Sequence, residues 1–221
     1  MPRVKACRAI GIDRRGWSNV TVCLRYSRTE PGSATNSQKL PENFVRTVPE
    51  GDTHERDVCD ECGFVHYQNP KVVVGSVVHH DGKILLCKRA IEPRSGYWTV
   101  PAGYMELGET AAEGAMREAR EEACADIVIE AVLAVYTITR IAQVQVMHVA
   151  HLATPHFEPG PESTEVDLFA WDDIPWDDLA FPSVHWVLKH FREVEGQTGF
   201  PAFTNPPGEF GDMRQGKAPQ T

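Results

Sequence analysis

Glu109-Thr-Ala-Ala-Glu-Gly-Ala-Met-Arg-Glu-Ala-Arg-Glu-Glu-Ala-Cys124 is the stretch on which the reading of this chain turns. Thr110 and Glu113 have the spacing of a capping box, so a helix begins at Thr110. Ala112, Ala115, Met116, Ala119 and Ala123 form a narrow apolar face that is expected to pack on a sheet, with side chains small enough for a close approach. Glu118, Glu121 and Glu122, at i, i+3 and i+4, are expected on the opposite side. Like charges at that spacing repel by roughly a few tenths of a kcal/mol per pair. Glu121 and Glu122 also sit at the negative end of the helix dipole, which costs about 0.3–1 kcal/mol each. Arg117 and Arg120 offset only part of this. A solvated acidic face is one outcome. A divalent cation held between the carboxylates is the other, because Mg²⁺ takes oxygen ligands and a substrate phosphate.

Working outward, Pro101-Ala-Gly103 ends a strand, Gly108 permits a sharp turn into the helix, and Glu109 lies within reach of Arg117. Upstream, Lys71 to His79 is rich in β-branched residues, Asp81-Gly82 supplies a hairpin turn, and Ile84 to Arg89 returns. Downstream, Ile127 to Ile138, Ala142 to Leu152 and Glu165 to Trp171 read as strands. Val184, Val187, Leu188, Phe191 and Val194 make one stripe of a helix over Pro182 to Glu195. The sum is a mixed sheet with at least two helices, α/β or α+β in class.

The chain has 221 residues, 42% of them hydrophobic, and a net charge of −9, the composition of a globular protein with a substantial core. No apolar run approaches the length of a membrane helix, and the N-terminus lacks the apolar stretch of a secretory signal. Six cysteines (Cys7, Cys23, Cys59, Cys62, Cys87 and Cys124) in a chain this long do not form a disulfide scaffold, so a reducing, cytoplasmic location is expected. Residues 1–46 carry nine Lys/Arg against three Asp/Glu; the remainder carries thirteen against twenty-eight. The basic leader, residues 1–43, is expected to be disordered, an organelle transit peptide being the alternative. An acidic body argues against a partner that is duplex nucleic acid. The proline-containing end, 196–221, is expected to be a loosely ordered tail.

Gly103, five residues, Glu109, seven residues, then Arg117-Glu118-Ala-Arg-Glu121-Glu122 resembles the Nudix box, Gly-x5-Glu-x7-Arg-Glu-U-x-Glu-Glu-x-Gly-U with U aliphatic. The departures are Cys124 in place of the last glycine and the small Ala119 and Ala125 at aliphatic positions. The missing glycine would serve as a left-handed helix cap, which questions the local turn but no acidic position. Val48-Pro-Glu-Gly-Asp52, Cys59-x-x-Cys62-Gly63, Leu85-Leu-Cys-Lys-Arg89 and Pro159-Gly-Pro-Glu-Ser163 are similar to one Nudix subgroup, the ADP-ribose and FAD pyrophosphatases with a ribbon-like N-terminal segment. The resemblance implies an α/β/α sandwich over residues 71–195 preceded by a small ribbon over residues 44–70.

It further implies hydrolysis of the diphosphate in a small nucleoside diphosphate derivative, by water attack at phosphorus, with Mg²⁺ or Mn²⁺ as cofactor. By this resemblance Glu118, Glu121 and Glu122, with the Gly103 carbonyl, hold the metal, while Glu109 and Arg117 brace loop and helix. The general base is a glutamate of the box or a downstream carboxylate. Glu165 is preferred for it over Glu162, as base or extra ligand. Arg89 is a candidate for the phosphates, or a surface ion pair. Trp98 is a candidate for stacking on a base, or a core residue. Cys59 and Cys62 are half of a structural zinc site that His54 and His66 could complete, the alternative being a degenerate ribbon held by packing. Relatives are often dimers, so a homodimer is an option. Thr139-Arg-Ile-Ala142 stands near where some ADP-ribose enzymes carry a proline, and the Ser-Gln-Pro-Trp run of the NADH-cleaving branch is missing. A non-catalytic nucleotide-sensing module and an RNA-end-processing hydrolase are the rival readings.

Overall fold

The computed structural model describes residues 42–212, and the chain divides between Gln68 and Asn69 into two compact units. Residues 1–41 of the expected leader, with Cys7 and Cys23, and residues 213–221 of the expected tail lie outside the described residues. The first unit is a three-stranded antiparallel sheet, β1 (Phe44–Thr47), β2 (Arg56–Cys59) and β3 (Val65–His66), in that spatial order. Phe44 meets Phe64 and His66 edge-on.

The second unit is built on a sheet of strands β4 (Lys71–His80), β5 (Lys83–Arg89), β6 (Trp98–Thr99), β7 (Ala102–Tyr104), β8 (Ile127–Ile138), β9 (Gln143–Leu152) and β10 (Ser163–Ala170). The order is β10-β5-β4-β9-β8, with β6 on β5 and β7 on β4, and only β4 and β9 run parallel. Asp81 and Gly82 both adopt positive φ, 48° and 73°, the backbone of the tight two-residue hairpin that the Asp-Gly pair favours.

Alternation along β4 and β5 sends Val78, Leu85 and Cys87 to one face and Val77, Ile84 and Leu86 to the other. Helix α1 (Ala111–Ala123) covers the first face with Ala119 and Ala123. Helix α2 (Pro182–Val194) covers the second with Val184, Val187, Leu188 and Phe191. The expected α/β/α sandwich is the result. Among the described residues no helix is long and apolar enough to cross a membrane.

Three details depart from the reading of the sequence. The buried face of α1 comprises Gly114, Ala115, Glu118, Ala119, Glu122 and Ala123, so two of the three acids share the packed side instead of standing opposite it. Part of the expected loose tail is fixed: Phe203 exchanges backbone hydrogen bonds with Leu133 and Val135 of the edge strand β8, at 2.8 and 2.9 Å. Asn205 then bonds both the N–H and the C=O of Thr137, at 2.8 and 3.0 Å. This segment occupies hydrogen-bonding groups that an edge strand otherwise leaves open.

The third detail is Cys124. The capping box forms as expected, with Thr110 and Glu113 bonding each other's backbone. At the other end Cys124 adopts the left-handed conformation (φ 46°, ψ 28°) that the absent glycine would have favoured, and its N–H still reaches Arg120 O at 3.0 Å. A β-carbon in that conformation costs about 1 kcal/mol. Cys124→Gly is therefore expected to stabilise the protein by about 0.5–1 kcal/mol, net of the added freedom of the unfolded chain. Calorimetry should find the Tm raised by roughly 2–4 °C.

Candidate active site

The site is assembled where β7 leaves the sheet and α1 crosses above it. Pairing of Val74 with Gly103 and of Gly75 with Ala102 fixes β7 on β4. A β-carbon at Gly103 would collide with the carboxylate of Glu118, so glycine there lets that carboxylate lie against the strand. Gly114, inside α1, does the same for Glu109. A β-carbon would stand 2.6 Å from Glu109 Oε1 and 2.8 Å from Val74 Cγ2. Glycine in a helix interior costs roughly 1 kcal/mol relative to alanine, and here it admits a carboxylate against the helix wall.

Arg117 joins these parts. Its Nε and Nη2 donate to the two oxygens of Glu109 at 3.1 and 2.9 Å. Nη2 also donates to Tyr104 O at 2.9 Å, and Nη1 donates to Glu118 Oε1 and Glu121 Oε2 at 2.7 and 2.8 Å. All five N–H groups of the guanidinium are thereby used. Glu109 also accepts from the Glu106 N–H at 2.7 Å. The Arg117 guanidinium, seconded by that amide, holds the Glu109 carboxyl down at about 2. The same contact, Glu109 first, holds Arg117 above the ordinary arginine range.

Glu122 is only 4% exposed, and its Oε2 accepts one backbone N–H, from Ala102 at 3.1 Å. Burial pushes its carboxyl up to about 8, and the charges of Glu118 and Glu162 push the same way against Ala102 N–H and Arg89. Glu118, 7% exposed, is raised by burial, with Arg117 opposing and Glu121 and Glu162 reinforcing. Glu121 is exposed and rests on Arg117. Four carboxylates thus crowd one place: Glu118, Glu121, Glu122 and, from the loop before β10, Glu162.

Among the described residues no three His, Cys, Asp or Glu side chains already stand as a metal-holding group. Glu118 and Glu121 are turned onto Arg117. The donor set nonetheless fits a hard divalent cation. It is all oxygen, its members repel one another, and one of them is a buried carboxyl with a single hydrogen-bond donor. Glu118, Glu121, Glu122 and the Gly103 carbonyl are the groups able to hold it.

A NUDIX domain model matches residues 69–193. The chain belongs to the NUDIX domain family. A second family model, Nudix N-terminal, a zinc-ribbon family, matches residues 42–68. The chain is 28% identical over 134 residues to an ADP-ribose pyrophosphatase of Methanocaldococcus jannaschii, an alignment covering 59% of this chain and 78% of that protein. It is 37% identical over 71 residues to the NAD-capped RNA hydrolase NudC of Vibrio atlanticus, covering 31% of this chain and a quarter (25%) of that one. The crystal structure of a NUDIX hydrolase from Nitrosomonas europaea superposes with a TM-score of 0.69 at 46% identity, covering 73% of this chain and 93% of that chain. The chain is a Nudix hydrolase acting on pyrophosphate bonds.

Within this Nudix frame the structure gathers some of the residues singled out in the sequence and not others. Gly103, Glu109, Arg117, Glu118, Glu121 and Glu122 come together. Arg89, at the end of β5, is close enough for its charge to act on Glu122. Its Nε donates to Pro93 O at 2.9 Å, and its guanidinium lies over Phe181.

Glu165 is not brought to the cluster. It pairs with Lys88 at 2.7 Å, on the sheet face that α2 covers. The register shifts between Ser163 and Glu165, leaving Thr164 as an extra residue. That bulge turns Glu165 away, and Glu162 is the carboxylate whose charge acts on Glu118 and Glu122. Trp98 lies on the α2 side as well, edge-on to Phe169 with ring centroids 4.9 Å apart.

In the first unit, Cys59 is buried and its Sγ accepts from Asn43 Nδ2 at 3.3 Å. Backbone N–H groups of Cys62 and Glu61 hold its thiol below the ordinary range, as suits a thiolate. His54 is instead bonded to Thr53 Oγ1, and His66 packs on Phe44. The described residues therefore do not complete a four-ligand zinc site around Cys59 and Cys62.

The buried Glu122 makes the metal-free protein sensitive to pH. Its folded pKa lies above the unfolded one, so the folded state binds the extra proton between about pH 4.5 and 8. Stability contributed by that proton is full below this window and is lost as pH rises through it. In chelator, Glu122→Gln is expected to be more stable than wild type at pH 8 by a few kcal/mol at most. Denaturant titrations at pH 5 and pH 8 should show the wild-type difference between the two flattened in the variant.

Proposed function

We propose that this Nudix hydrolase cleaves the diphosphate of a nucleoside diphosphate derivative of the ADP-ribose or FAD type, by attack of water at phosphorus. The observation that carries the reading is the convergence of Glu118, Glu121, Glu122 and Glu162 beside Gly103, with Arg117 and Glu109 bracing them. Glu118, Glu121, Glu122 and the Gly103 carbonyl would hold Mg²⁺ or Mn²⁺. When bound, such an ion neutralises the diphosphate and polarises the attacking water.

The remaining roles fall to side chains of this chain. Arg117 keeps Glu118 and Glu121 from spreading into solvent. Burial around Glu122 keeps competing water away from one side of the cluster. Glu162, a carboxylate on a loop facing the cluster, is placed to take the proton from the attacking water. Arg89 adds positive charge for the substrate phosphates. The likeness to an ADP-ribose pyrophosphatase supports the substrate class. The likeness to a NAD-capped RNA hydrolase supports a second reading, in which the same diphosphate chemistry acts at an RNA end.

The test is a panel of ADP-ribose, FAD, NADH, UDP-sugars and NAD-capped RNA with Mg²⁺ or Mn²⁺, scored by mononucleotide release. Turnover of ADP-ribose or FAD is expected, with Glu121→Gln, Glu122→Gln and Glu162→Gln each lowering kcat by about 10²–10⁴-fold. Cleavage of capped RNA alone moves the assignment to the second reading. A wild-type protein that binds these nucleotides but hydrolyses none is a sensing module.

A further inference from the structure

The last turn of an α-helix leaves four carbonyls without intrahelical partners. In α1 three of them are answered, from two directions. Arg120 O accepts from Cys124 N–H at 3.0 Å, within the helix's own cap. Glu122 O and Ala123 O accept from Gly160 and Glu158 N–H, at 3.0 and 2.9 Å, across from the loop that precedes β10. At Gly160 the two backbones come so close that a β-carbon would run into the carbonyl of Glu121. Gly160 does not adopt positive φ, so the demand for glycine there is one of space and not of conformation.

The same loop is fixed at its other end. Ser163 N–H closes a turn onto Gly160 O at 3.0 Å, and Glu162 O accepts from Ala90 N–H at 2.8 Å beyond the end of β5. Glu162 is therefore held between an anchor on the helix and an anchor on the sheet. Its carboxylate acts on both Glu118 and Glu122.

We propose that Gly160 is a positioning residue: by letting the loop seat directly on the last turn of α1, it sets the distance between Glu162 and the carboxylates of the helix. This rests on the reading that Glu162 takes part in the reaction. A side chain at residue 160 lifts the loop, and the displacement is passed to Glu162 two residues on. Substrate contacts made elsewhere are left as they were. An error of about 1 Å in such a group costs roughly 10²-fold in rate.

The experiment compares Gly160→Ala, Glu162→Gln and the double variant, following mononucleotide release from ADP-ribose or FAD by the metal-loaded full chain. Gly160→Ala is expected to keep a cooperative thermal transition and a KM within about threefold of wild type, while kcat falls about 10–100-fold. In the Glu162→Gln background the same substitution should add less than about twofold, because its effect is routed through Glu162. If Gly160→Ala fails to fold, Glu158→Pro loosens the same seat by removing the amide on Ala123 O, and the same pattern is expected of it. Losses that multiply in the double variant overturn the inference, as does a rise in KM alone. Glu162→Gln impaired beside a Gly160→Ala of wild-type rate overturns the inference but leaves the role of Glu162 standing. Glu162→Gln at the wild-type rate overturns both.

Discussion

One guanidinium carries the architecture of the site. Arg117 divides its five N–H groups among two oxygens of Glu109, one of Glu118, one of Glu121 and the carbonyl of Tyr104. A lysine could supply the charge but not the planar fork that takes both Glu109 oxygens while reaching two further carboxylates. The loop from Tyr104 to Glu109 and the second half of α1 are thereby tied to one atom group. Without it, Glu109 would be a partly buried anion against Gly114 with only the Glu106 amide to answer it. Leaving one partner of such a pair behind is far more damaging than never having the pair. The helix can carry three acids in five residues because this cation sits among them.

The glycines around the site divide by what they are for. At Gly103, Gly114 and Gly160 the missing β-carbon makes room, respectively, for the Glu118 carboxylate, the Glu109 carboxylate and the backbone of Glu121. Each is a close approach of an oxygen to a backbone, and each concerns an acid of the cluster. At residue 124 the need is conformational, and the chain meets it with cysteine. A strained cap is tolerated because its hydrogen bonds survive and because the neighbouring carbonyls are satisfied from the loop. A clash at 103 or 114 could be relieved only by moving a carboxylate of the cluster, and one at 160 only by moving the backbone of the loop.

Much of this was legible from residue order. The β-branched run in Lys71 to His79, the Asp81-Gly82 turn that returns the chain through Ile84 to Arg89, and the Thr110–Glu113 capping box are local signals, and local geometry obeys them. Three things were not legible. Glu118 and Glu122 belong to the buried face of α1, because periodicity assigns acids to solvent unless something buried asks for them. Glu165 points away from the cluster and Glu162 toward it because of one extra residue, Thr164, and a bulge leaves no mark on a two-residue alternation. Phe203 and Asn205 are tied to β8 by two hydrogen bonds each, with no repeat to announce them. In each case the deciding partner is distant in sequence.

The electrostatics of the cluster and the docking of the loop are one problem. Glu121 and Glu122 stand at the negative end of the α1 dipole, where two unanswered carbonyls would add to their repulsion. The amides of Glu158 and Gly160 are aimed at those carbonyls, so the segment that delivers Glu162 also brings two partial positive charges to the place that needs them. Bringing in a fourth carboxylate raises the repulsion again, as the upward push of Glu162 on both Glu118 and Glu122 shows. The protein's own groups answer this only in part: Arg117 is fully committed, and Glu122 has a single N–H from Ala102, the charge of Arg89, and a proton that it gives up as pH rises through about 8. An arrangement that gathers more negative charge than it neutralises is unfavourable for folding taken alone. It becomes intelligible under the proposed function, in which Mg²⁺ or Mn²⁺ would supply the missing positive charge.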